Sequence, residues 1–490
     1  MPLPPTGRSR DDILADLGAR RSDDLDTHGG RTWAYVYDAG RSDAEQVAAE
    51  ALVAAMHENA LDPTVFPSVL DLERELVRIA ADHLHGDDEV VGNFTSGGTE
   101  SCMLAVKTAR DHARATRGVG GGPTGVRGEV VLPETAHAAF RKACHYFDLD
   151  LVDVAVDPVT FRADPDAIRD AITDRTVLVV ASAPSYAHGV VDPIEAIAAV
   201  TREAGVLFHV DACIGGWLLP YFDRLGDDVP PFDFRLVGVT SISMDLHKYA
   251  YTPKGASTLL YRDRTLRRHQ LFASARWTGY TMINTTIQST KSAGPLAGAW
   301  ATLQAFGDDG YLEAARATRD ATRQLIEGIR GIDGLDVLGE PEMSLVAIVA
   351  TEDADGRVPD LFVLADEMKR RDWYVQPQLT YGSSPANIHL TATATSLDRV
   401  DELLADLAAA TKVAAAHERA PEFQQLLDGL GDVDPDAFTD DMYAGMLGAV
   451  GLGGGASLPD EMADINAVLD ALAPELREKL LLAFLNDLYA

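Results

Sequence analysis

Short apolar runs alternate with helical stretches through the middle of the chain, and this alternation constrains the fold more than any other feature of the sequence. Each run has the length of a strand, and between the runs the apolar residues recur at helical spacing. Strands that alternate with helices predict an α/β fold whose mainly parallel sheet is covered by helices on both faces. The predicted strands are Glu129–Leu132, Leu149–Val156, Val177–Ala181, Val206–Val210, Val237–Ser243 and Ser257–Tyr261.

The segments on either side of this region are predicted to have a different secondary structure. Residues 1–60 are predicted to form an irregular arm and a helix, and Leu70–His85 has helical periodicity. A long helix with one break is expected from about Ala297 to Ile332, followed by a smaller α+β lobe. Its predicted strands are Leu335–Leu338, Ser344–Ala350, Trp373–Val375 and Ile388–Thr393. The predicted domains are 1–60 (arm and helix), 61–300 (large domain), 301–415 (small C-terminal α+β domain) and 416–490 (helical tail).

The charge balance limits the partners of the chain. Its formal net charge is −34, with no cluster of Lys or Arg, so we expect no nucleic-acid partner. Lysine is scarce, since 34 of the 42 basic residues are Arg, and this bias fits either a GC-rich genome or adaptation to salt, in which a large negative charge keeps a protein soluble. No apolar run reaches the ~20 residues of a membrane span. Three cysteines without metal-ligand spacing (Cys102, Cys144, Cys213) favour a reducing cytoplasm and no metal.

A glycine-containing turn separates a predicted strand from a helix that begins near Thr99. Glycines at Gly97 and Gly98 let the backbone approach an anion, and free N–H groups at a helix N-terminus bind phosphate. Hydroxyl groups of Ser96 and Thr99 would add donors. The segment therefore predicts a phosphate cradle, although a plain turn before a helix remains the alternative.

Three further polar residues follow predicted strands at the sheet edge where open α/β folds bind ligands. His137 comes after the strand at Glu129–Leu132, and Asp211 ends an apolar strand, where a buried carboxylate needs a cation. Lys248 follows the next predicted strand, and a desolvated lysine near positive charge loses pKa and becomes nucleophilic. The alternatives are a structural histidine, a helix-capping aspartate and a surface lysine.

Taken together and in this order, a cradle, a histidine, an aspartate and a lysine are the pattern of fold-type-I pyridoxal-phosphate enzymes. Between about residues 55 and 300 the chain resembles the sphingosine-1-phosphate lyases of the group II pyridoxal-phosphate-dependent decarboxylase family. The resemblance implies a fold-type-I transferase fold with a mainly parallel seven-stranded sheet and a smaller α+β C-terminal domain. The matching stretches are Asn59-Ala60-Leu61, Val65-Phe66-Pro67, Thr95–Ser101, Ala136–Phe140, Ala183-Pro184, His188–Pro193, His209–Gly216 and Ser241–Gly255.

The resemblance also implies roles for individual residues. Lys248 would carry pyridoxal 5'-phosphate as a Schiff base, His137 would stack on its ring, and Asp211 would pair with the ring nitrogen. The cofactor phosphate would be bound by Ser96, Gly97, Gly98, Thr99, His247 and Thr286. The substrate would be contacted by Asn59, His188, Lys254 and Lys291, and Lys254 would also be catalytic. The family forms homodimers with shared active sites.

One loop departs from the lyase pattern and leaves the reaction open. Trp277, Gly279 and Thr286 are kept, but Ser289-Thr290-Lys291 stands where the lyases have Gly-Ser-Arg. The resemblance implies cleavage of a bond at Cα of an amino substrate through an external aldimine and a quinonoid. The favoured reaction is that of a retro-aldol aldehyde-lyase, and the alternative is that of an amino-acid decarboxylase. An aminotransferase or a non-catalytic relative is less favoured than either.

Overall fold

A seven-stranded sheet forms the centre of the protein in a computed structural model that describes residues 3–121, 125–431, 433, 445 and 460–489. Its strand order is β1-β7-β6-β5-β4-β2-β3. Neighbouring strands pair in parallel from β3 to β6, and only β7 runs against its neighbours β6 and β1. The strands are β1 (Val91–Thr95), β2 (Glu129–Pro133), β3 (Asp150–Val154), β4 (Thr176–Ser182), β5 (Leu207–Asp211), β6 (Ser241–Asp245) and β7 (Ser257–Tyr261). The predicted mainly parallel sheet is confirmed.

Helices connect and cover these strands. The helices up to the end of the large sheet are α1 (Arg10–Arg20), α2 (Ser42–Ala54), α3 (Pro67–His83), α4 (Gly98–Arg117), α5 (Ala139–Phe147), α6 (Pro165–Ala171), α7 (Ile194–Ala204), α8 (Gly215–Arg224) and α9 (Arg264–Arg267). The central strands β2, β4 and β6 are buried along their whole length, as apolar parallel strands between two helical layers must be. A short hairpin, β8 (Phe272–Ser274) and β9 (Met282–Asn284), lies beyond the large sheet.

The long helix predicted after the large domain is α10 (Ala293–Arg330). Its break falls at Gly307, whose φ of 61° lies in the left-handed region that glycine adopts without strain. Residues before the break, such as Leu303, pack in the core of the large sheet, and residues after it, such as Leu325, pack in the core of the small domain. The helix therefore links the two cores.

The smaller lobe contains an antiparallel sheet of order β10-β11-β13-β12. Its elements are β10 (Leu335–Val337), β11 (Leu345–Ala350), α11 (Leu361–Lys369), β12 (Gln376–Gln378), β13 (Asn387–Thr391), a 3-10 helix (Ala394–Arg399) and α12 (Val400–Ala415). The strand predicted at Trp373–Val375 was placed too early. Trp373 is instead buried beside α12, where its indole N–H donates to Asp406, and the strand begins at Gln376.

One strand of the large sheet was also predicted too early. The run Val237–Ser243 begins in a turn, where Val239 N donates to Leu236 O and Val237 is 66% exposed. β6 therefore starts at Ser241 and ends at Asp245, three residues before Lys248.

Three helices of the C-terminal tail lie in the described part of the chain: α13 (Pro421–Leu430), α14 (Ala463–Ala471) and α15 (Pro474–Leu488). Residues 432, 434–444, 446–459 and 490 of the predicted tail lie outside the described residues. The domain boundaries at residues 60, 300 and 415 stay a prediction. Within the described ranges, none of the helices has the length and apolar character that crossing a bilayer requires.

Candidate active site

The carboxyl ends of four strands converge at one edge of the large sheet. β1 leads into the turn before α4, β2 leads to His137, β5 ends at Asp211, and β6 is followed by Lys248. These four strands run in the same direction, so their carboxyl ends share one edge, where ligands bind in open α/β sheets.

Lys248 forms an ion pair with the last residue of β6. Its Nζ lies 2.9 Å from Oδ2 of Asp245, whose side chain is only 2% exposed. Burial lowers the pKa of Lys248, but nearby anionic groups, Asp245 foremost, outweigh burial and hold that pKa well above its usual range. The predicted lowering of the Lys248 pKa is therefore wrong, because the prediction missed this carboxylate.

The predicted phosphate cradle is the N-terminus of α4. The N-cap residue is Gly97, which has a φ of 149° and no side chain to cap the helix, so first-turn N–H groups remain available to an anion. Gly98 approaches Asp245 so closely that a Cβ there would lie 2.7 Å from Oδ2. Ser96 N donates to Oε2 of Glu100 at 2.7 Å, which fixes the turn. Only glycine satisfies the geometry at residues 97 and 98.

Asp211 is held at the end of β5 by bonds to one of its oxygens. Oδ1 accepts from Cys213 N at 3.1 Å and from the hydroxyl of Ser243 at 3.2 Å. The side chain is buried, and these bonds orient the carboxylate before any cation reaches it. Cys102 and Cys213 lie beside it, with their sulfurs and an Asp211 oxygen all within 4.8 Å of one another. Cys102 is far from Asp211 and Cys213 in the sequence, so the sequence did not predict this cluster.

His137 has a defined tautomer. Its Nδ1 accepts from Ala139 N at 3.1 Å at the start of α5, which leaves the proton on Nε2. Burial lowers the pKa of His137, and the carboxylate of Asp211 opposes that shift. A neutral imidazole near Asp211 and Lys248 offers a flat aromatic surface without adding charge.

Lys254 supplies a second ammonium group close to Lys248. Its Nζ donates to His247 O at 3.3 Å and lies 4.9 Å from the ring centre of Tyr37. Although Lys254 as a residue is exposed, burial of its ammonium and the charge of Lys248 lower its pKa to about 8. Tyr37, whose pKa burial raises to about 12, belongs to the site but was not predicted, since it lies in the irregular N-terminal segment.

A cavity of about 280 Å³ lies in front of His137. His188 lines it, with its ring stacked on Phe161 at 4.1 Å and Nε2 bonded to the hydroxyl of Ser384 at 2.9 Å. Burial lowers the pKa of His188 to about 4, so the ring is neutral. Tyr186 also lines the cavity and stacks on His389 at 4.3 Å, a contact that sequence spacing did not reveal. His188 thus lines this cavity, and its role as a substrate contact stays a prediction.

Lys291 has a different environment from the one expected of a substrate contact. Its Nζ bonds to Glu73 Oε2 at 2.9 Å and to Phe94 O at 3.1 Å, and both charged side chains are buried. The backbone beside it pairs with Asn59 and Ala60, so Asn59 is placed next to Lys291. The ammonium of Lys291 is therefore engaged within its own chain.

Thr286 lies close to the cradle of its own chain. Its hydroxyl donates to Gln288 O at 3.3 Å, and the next residue, Ile287, donates its N–H to Glu100 Oε1 at 2.9 Å. Glu100 thus bonds both the turn at Ser96 and the loop that carries Thr286. The loop is in position to contribute to an anion site at α4.

The donor set fits pyridoxal phosphate. The uncapped α4 N-terminus suits a phosphate dianion, and the imidazole of His137 suits an aromatic ring. The carboxylate of Asp211 suits a protonated ring nitrogen, and the amine of Lys248 suits an aldehyde carbon. His247, whose Nε2 lies 3.7 Å from Asp245 Oδ2, completes the group around the cradle.

Two family models match the chain. The conserved domain of pyridoxal-dependent decarboxylases matches residues 25–350. A second model, described as a C-terminal candidate helix-turn-helix domain of pyridoxal-dependent enzymes, matches residues 421–487.

Several proteins with similar sequences are sphingosine-1-phosphate lyases. The Arabidopsis thaliana protein is 38% identical over 366 residues, which are 74% of this chain and 64% of that protein. The Drosophila melanogaster protein is 35% identical over 412 residues, 84% of this chain and 72% of that protein. The solved structure of a sphingosine-1-phosphate lyase from Burkholderia pseudomallei superposes with a TM-score of 0.78 at 34% identity, covering 89% of this chain and 98% of that one.

Proposed function

The chain belongs to the pyridoxal-dependent decarboxylase family, and from this premise we propose that it is a carbon–carbon lyase that cleaves the Cα–Cβ bond of a phosphorylated amino alcohol. Its relatives named as sphingosine-1-phosphate lyases support this assignment. The cofactor is pyridoxal phosphate, and when bound it supplies an electron-withdrawing ring that stabilises a carbanion at Cα.

The residues at the strand ends would hold and tune that cofactor. Lys248 would bind the aldehyde carbon after losing its proton, and Asp211 would keep the ring nitrogen protonated. His137 would support one face of the ring while staying neutral, since burial lowers its pKa. The uncapped N–H groups at Gly97, Gly98 and Thr99 would bind the phosphate, joined by Thr286 and His247.

Lys254 carries the proposal for Cα–Cβ cleavage. A retro-aldol reaction needs a base that accepts the proton of the β-hydroxyl group, whereas a decarboxylation does not. With a pKa of about 8, Lys254 loses its proton more readily than an ordinary lysine, and its Nζ donates to the backbone carbonyl of His247, the residue before Lys248. It would take the hydroxyl proton as the C–C bond breaks. In a decarboxylase no β-hydroxyl proton is removed, so Lys254 would not be needed as a base for bond cleavage.

We further propose a homodimer with shared sites. The loop and hairpin between β7 and α10 expose many large apolar side chains, and an exposed patch of this kind is typical of a surface covered by a partner. These residues are Leu271, Phe272, Trp277, Tyr280, Ile283 and Ile287. Thr286 lies among them, so a second copy docked on this surface would approach the phosphate cradle.

We do not expect the chain to bind nucleic acid. The C-terminal segment 421–487 carries 14 Asp and Glu against two Lys and Arg, a balance that repels a phosphate backbone. The three cysteines are free and buried, which supports a reducing compartment, the cytoplasm, as the location.

Turnover of matched substrates tests the proposed substrate class. Purified holoenzyme would be assayed with sphingosine-1-phosphate, with unphosphorylated sphingosine, and with a panel of amino acids. We expect turnover of the phosphorylated amino alcohol and a kcat/KM at least about a hundredfold lower without the phosphate, because two or more charge-assisted bonds are lost. Faster turnover of an amino acid would favour the decarboxylase alternative.

A further inference from the structure

We propose that the C-terminal helices act as a positioning element of the active site, with Asp470 holding the loop that forms one wall of the substrate cavity. This loop, Leu379–Ala386, connects β12 to β13 and is called the pocket loop below. The inference rests on the proposed function only in taking the cavity in front of His137 as the substrate site. The inference assigns α14 and α15 the role of positioning a loop of the active site.

One side of the pocket loop faces the candidate active site. Leu379, Tyr381 and Ser384 line the cavity together with His137 and His188. The hydroxyl of Ser384 bonds to His188 Nε2 at 2.9 Å. These contacts make the position of the pocket loop a determinant of the shape of the cavity.

The tip of the pocket loop is also fixed to the large domain. Ser383 N donates to Glu134 Oε1 at 2.9 Å, and Glu134 comes directly after β2. Gly382 has a φ of 54°, and a Cβ there would collide with the carboxylate of Glu134. Arg141 lies over the ring of Tyr381, 5.3 Å from its centre. The tip of the pocket loop is therefore held against the segment that leads from β2 to His137.

The other side of the pocket loop is bound by the C-terminal helices. Asp470 near the end of α14 accepts from Thr380 N at 2.6 Å and from the hydroxyl of Thr380 at 3.2 Å. Arg477 of α15 donates to Thr380 O at 3.4 Å, and its Nε donates to Leu469 O at 2.7 Å. Thr380 is thus held through its N–H, hydroxyl and carbonyl groups.

Apolar packing supports the same attachment. Both ends of the pocket loop, Leu379 and Ala386, pack against a cluster built mainly from the C-terminal helices. The buried members of that cluster are Phe362, Leu427, Leu430, Ala467, Val468, Leu472, Leu476 and Leu480. Because one loop bonds to both α14 and His188, a shift of α14 would change the shape of the cavity.

The test uses the holoenzyme of the full chain with four variants. Asp470→Ala removes both acceptors of Thr380, whereas Asp470→Asn keeps one acceptor for Thr380 N. Thr380→Val removes only the hydroxyl bond, and Asp464→Ala changes an exposed aspartate on the same helix as a control. Each variant would be measured for KM, kcat, the visible absorbance of bound cofactor, and hydrogen exchange of peptides covering residues 379–386.

We expect KM to rise about tenfold in Asp470→Ala, with kcat and cofactor absorbance nearly unchanged, since both hydrogen bonds from Thr380 to Asp470 are lost while the residues that would bind the cofactor are retained. Asp470→Asn should recover part of the KM, and Thr380→Val, which keeps the bond from Thr380 N to Asp470, should raise KM less than Asp470→Ala does. Exchange in the pocket loop should accelerate in Asp470→Ala but not in Asp464→Ala. This exchange needs no substrate, so it tests the attachment even if the reaction proves to be a decarboxylation. Unchanged exchange, or a KM equal to that of Asp464→Ala, would overturn the proposal.

Discussion

Lys248 Nζ lies 2.9 Å from Oδ2 of Asp245, the residue that ends β6, and the carboxylate is almost wholly buried. Burial alone would raise the pKa of Asp245, yet the charges of Lys248 and His247 lower it, so Asp245 and Lys248 form an ionised pair. The same pairing holds Lys248 protonated. A protonated amine cannot attack an aldehyde, so the ion pair must be released before the cofactor is bound covalently.

Replacing Asp245 should therefore accelerate covalent loading of the cofactor. In Asp245→Asn the interaction that favours the ammonium is removed while burial remains, so the pKa of Lys248 falls. We expect the visible absorbance of the Schiff base to form roughly tenfold faster at neutral pH when pyridoxal phosphate is added to apoenzyme. The pH dependence of that rate should move to lower pH. Asp464→Asn, on an exposed face of α14, serves as the control, and an unchanged pH dependence would count against the ion-pair account.

The pH profile of turnover should report Lys254. Its pKa of about 8 means that the base form appears as pH rises through that value, so kcat should rise with pH in this range. Lys254→Ala should lower kcat by roughly a hundredfold or more and remove this limb. Lys254→Arg keeps the positive charge but cannot act as a base, so it should be equally impaired. A Lys254→Arg variant with near-normal kcat would show that charge alone is required.

Lys291 should matter for stability more than for substrate binding. Lys291→Ala would leave Glu73 buried without its cation, which costs about 3–5 kcal/mol in the free energy of unfolding. The double variant Glu73→Gln with Lys291→Met removes both charges and should recover much of that loss. Urea unfolding and KM would be measured for both variants. A raised KM with unchanged stability would contradict this structural role and support the predicted role of Lys291 as a substrate contact.

Subunit mixing tests the shared site. A Lys248→Ala chain and a Thr286→Ala chain are each expected to be inactive or strongly impaired alone. If Thr286 serves the neighbouring site, a heterodimer has one intact site, and random mixing should restore about a quarter of wild-type activity. If Thr286 instead acts at the cradle of its own chain, where Ile287 bonds to Glu100, mixing will restore nothing.

The sequence predicted the parts of the fold that depend on local pattern. Buried parallel strands are short apolar runs, so the strands were located within a few residues, and with them the sheet edge at which His137 and Lys248 lie. Errors arose where an apolar run continued into a turn, as at Val237, which is exposed. Local pattern cannot distinguish a strand residue from an apolar residue just before it.

Contacts between distant segments could not be predicted in the same way. The ring of Tyr37, in the N-terminal segment, contacts the ammonium of Lys254. Glu73 forms an ion pair with Lys291, which lies 218 positions later in the sequence. Asp470 reaches Thr380 from the C-terminal helices. Each of these residues is an ordinary member of its own segment, and only the tertiary fold gives it a partner. The ion pair of Lys291 shows the consequence, since a loop position alone suggested a substrate contact.

Identification of the products tests the central claim most directly. Purified holoenzyme would be incubated with sphingosine-1-phosphate, and the products would be identified by mass spectrometry together with a measurement of carbon dioxide release from amino acids. Cleavage of Cα–Cβ predicts a long-chain aldehyde and phosphoethanolamine in equal amounts, with both lost in Lys254→Arg. Release of carbon dioxide from an amino acid, without aldehyde from the phosphorylated amino alcohol, would contradict the assignment and identify the chain as a decarboxylase.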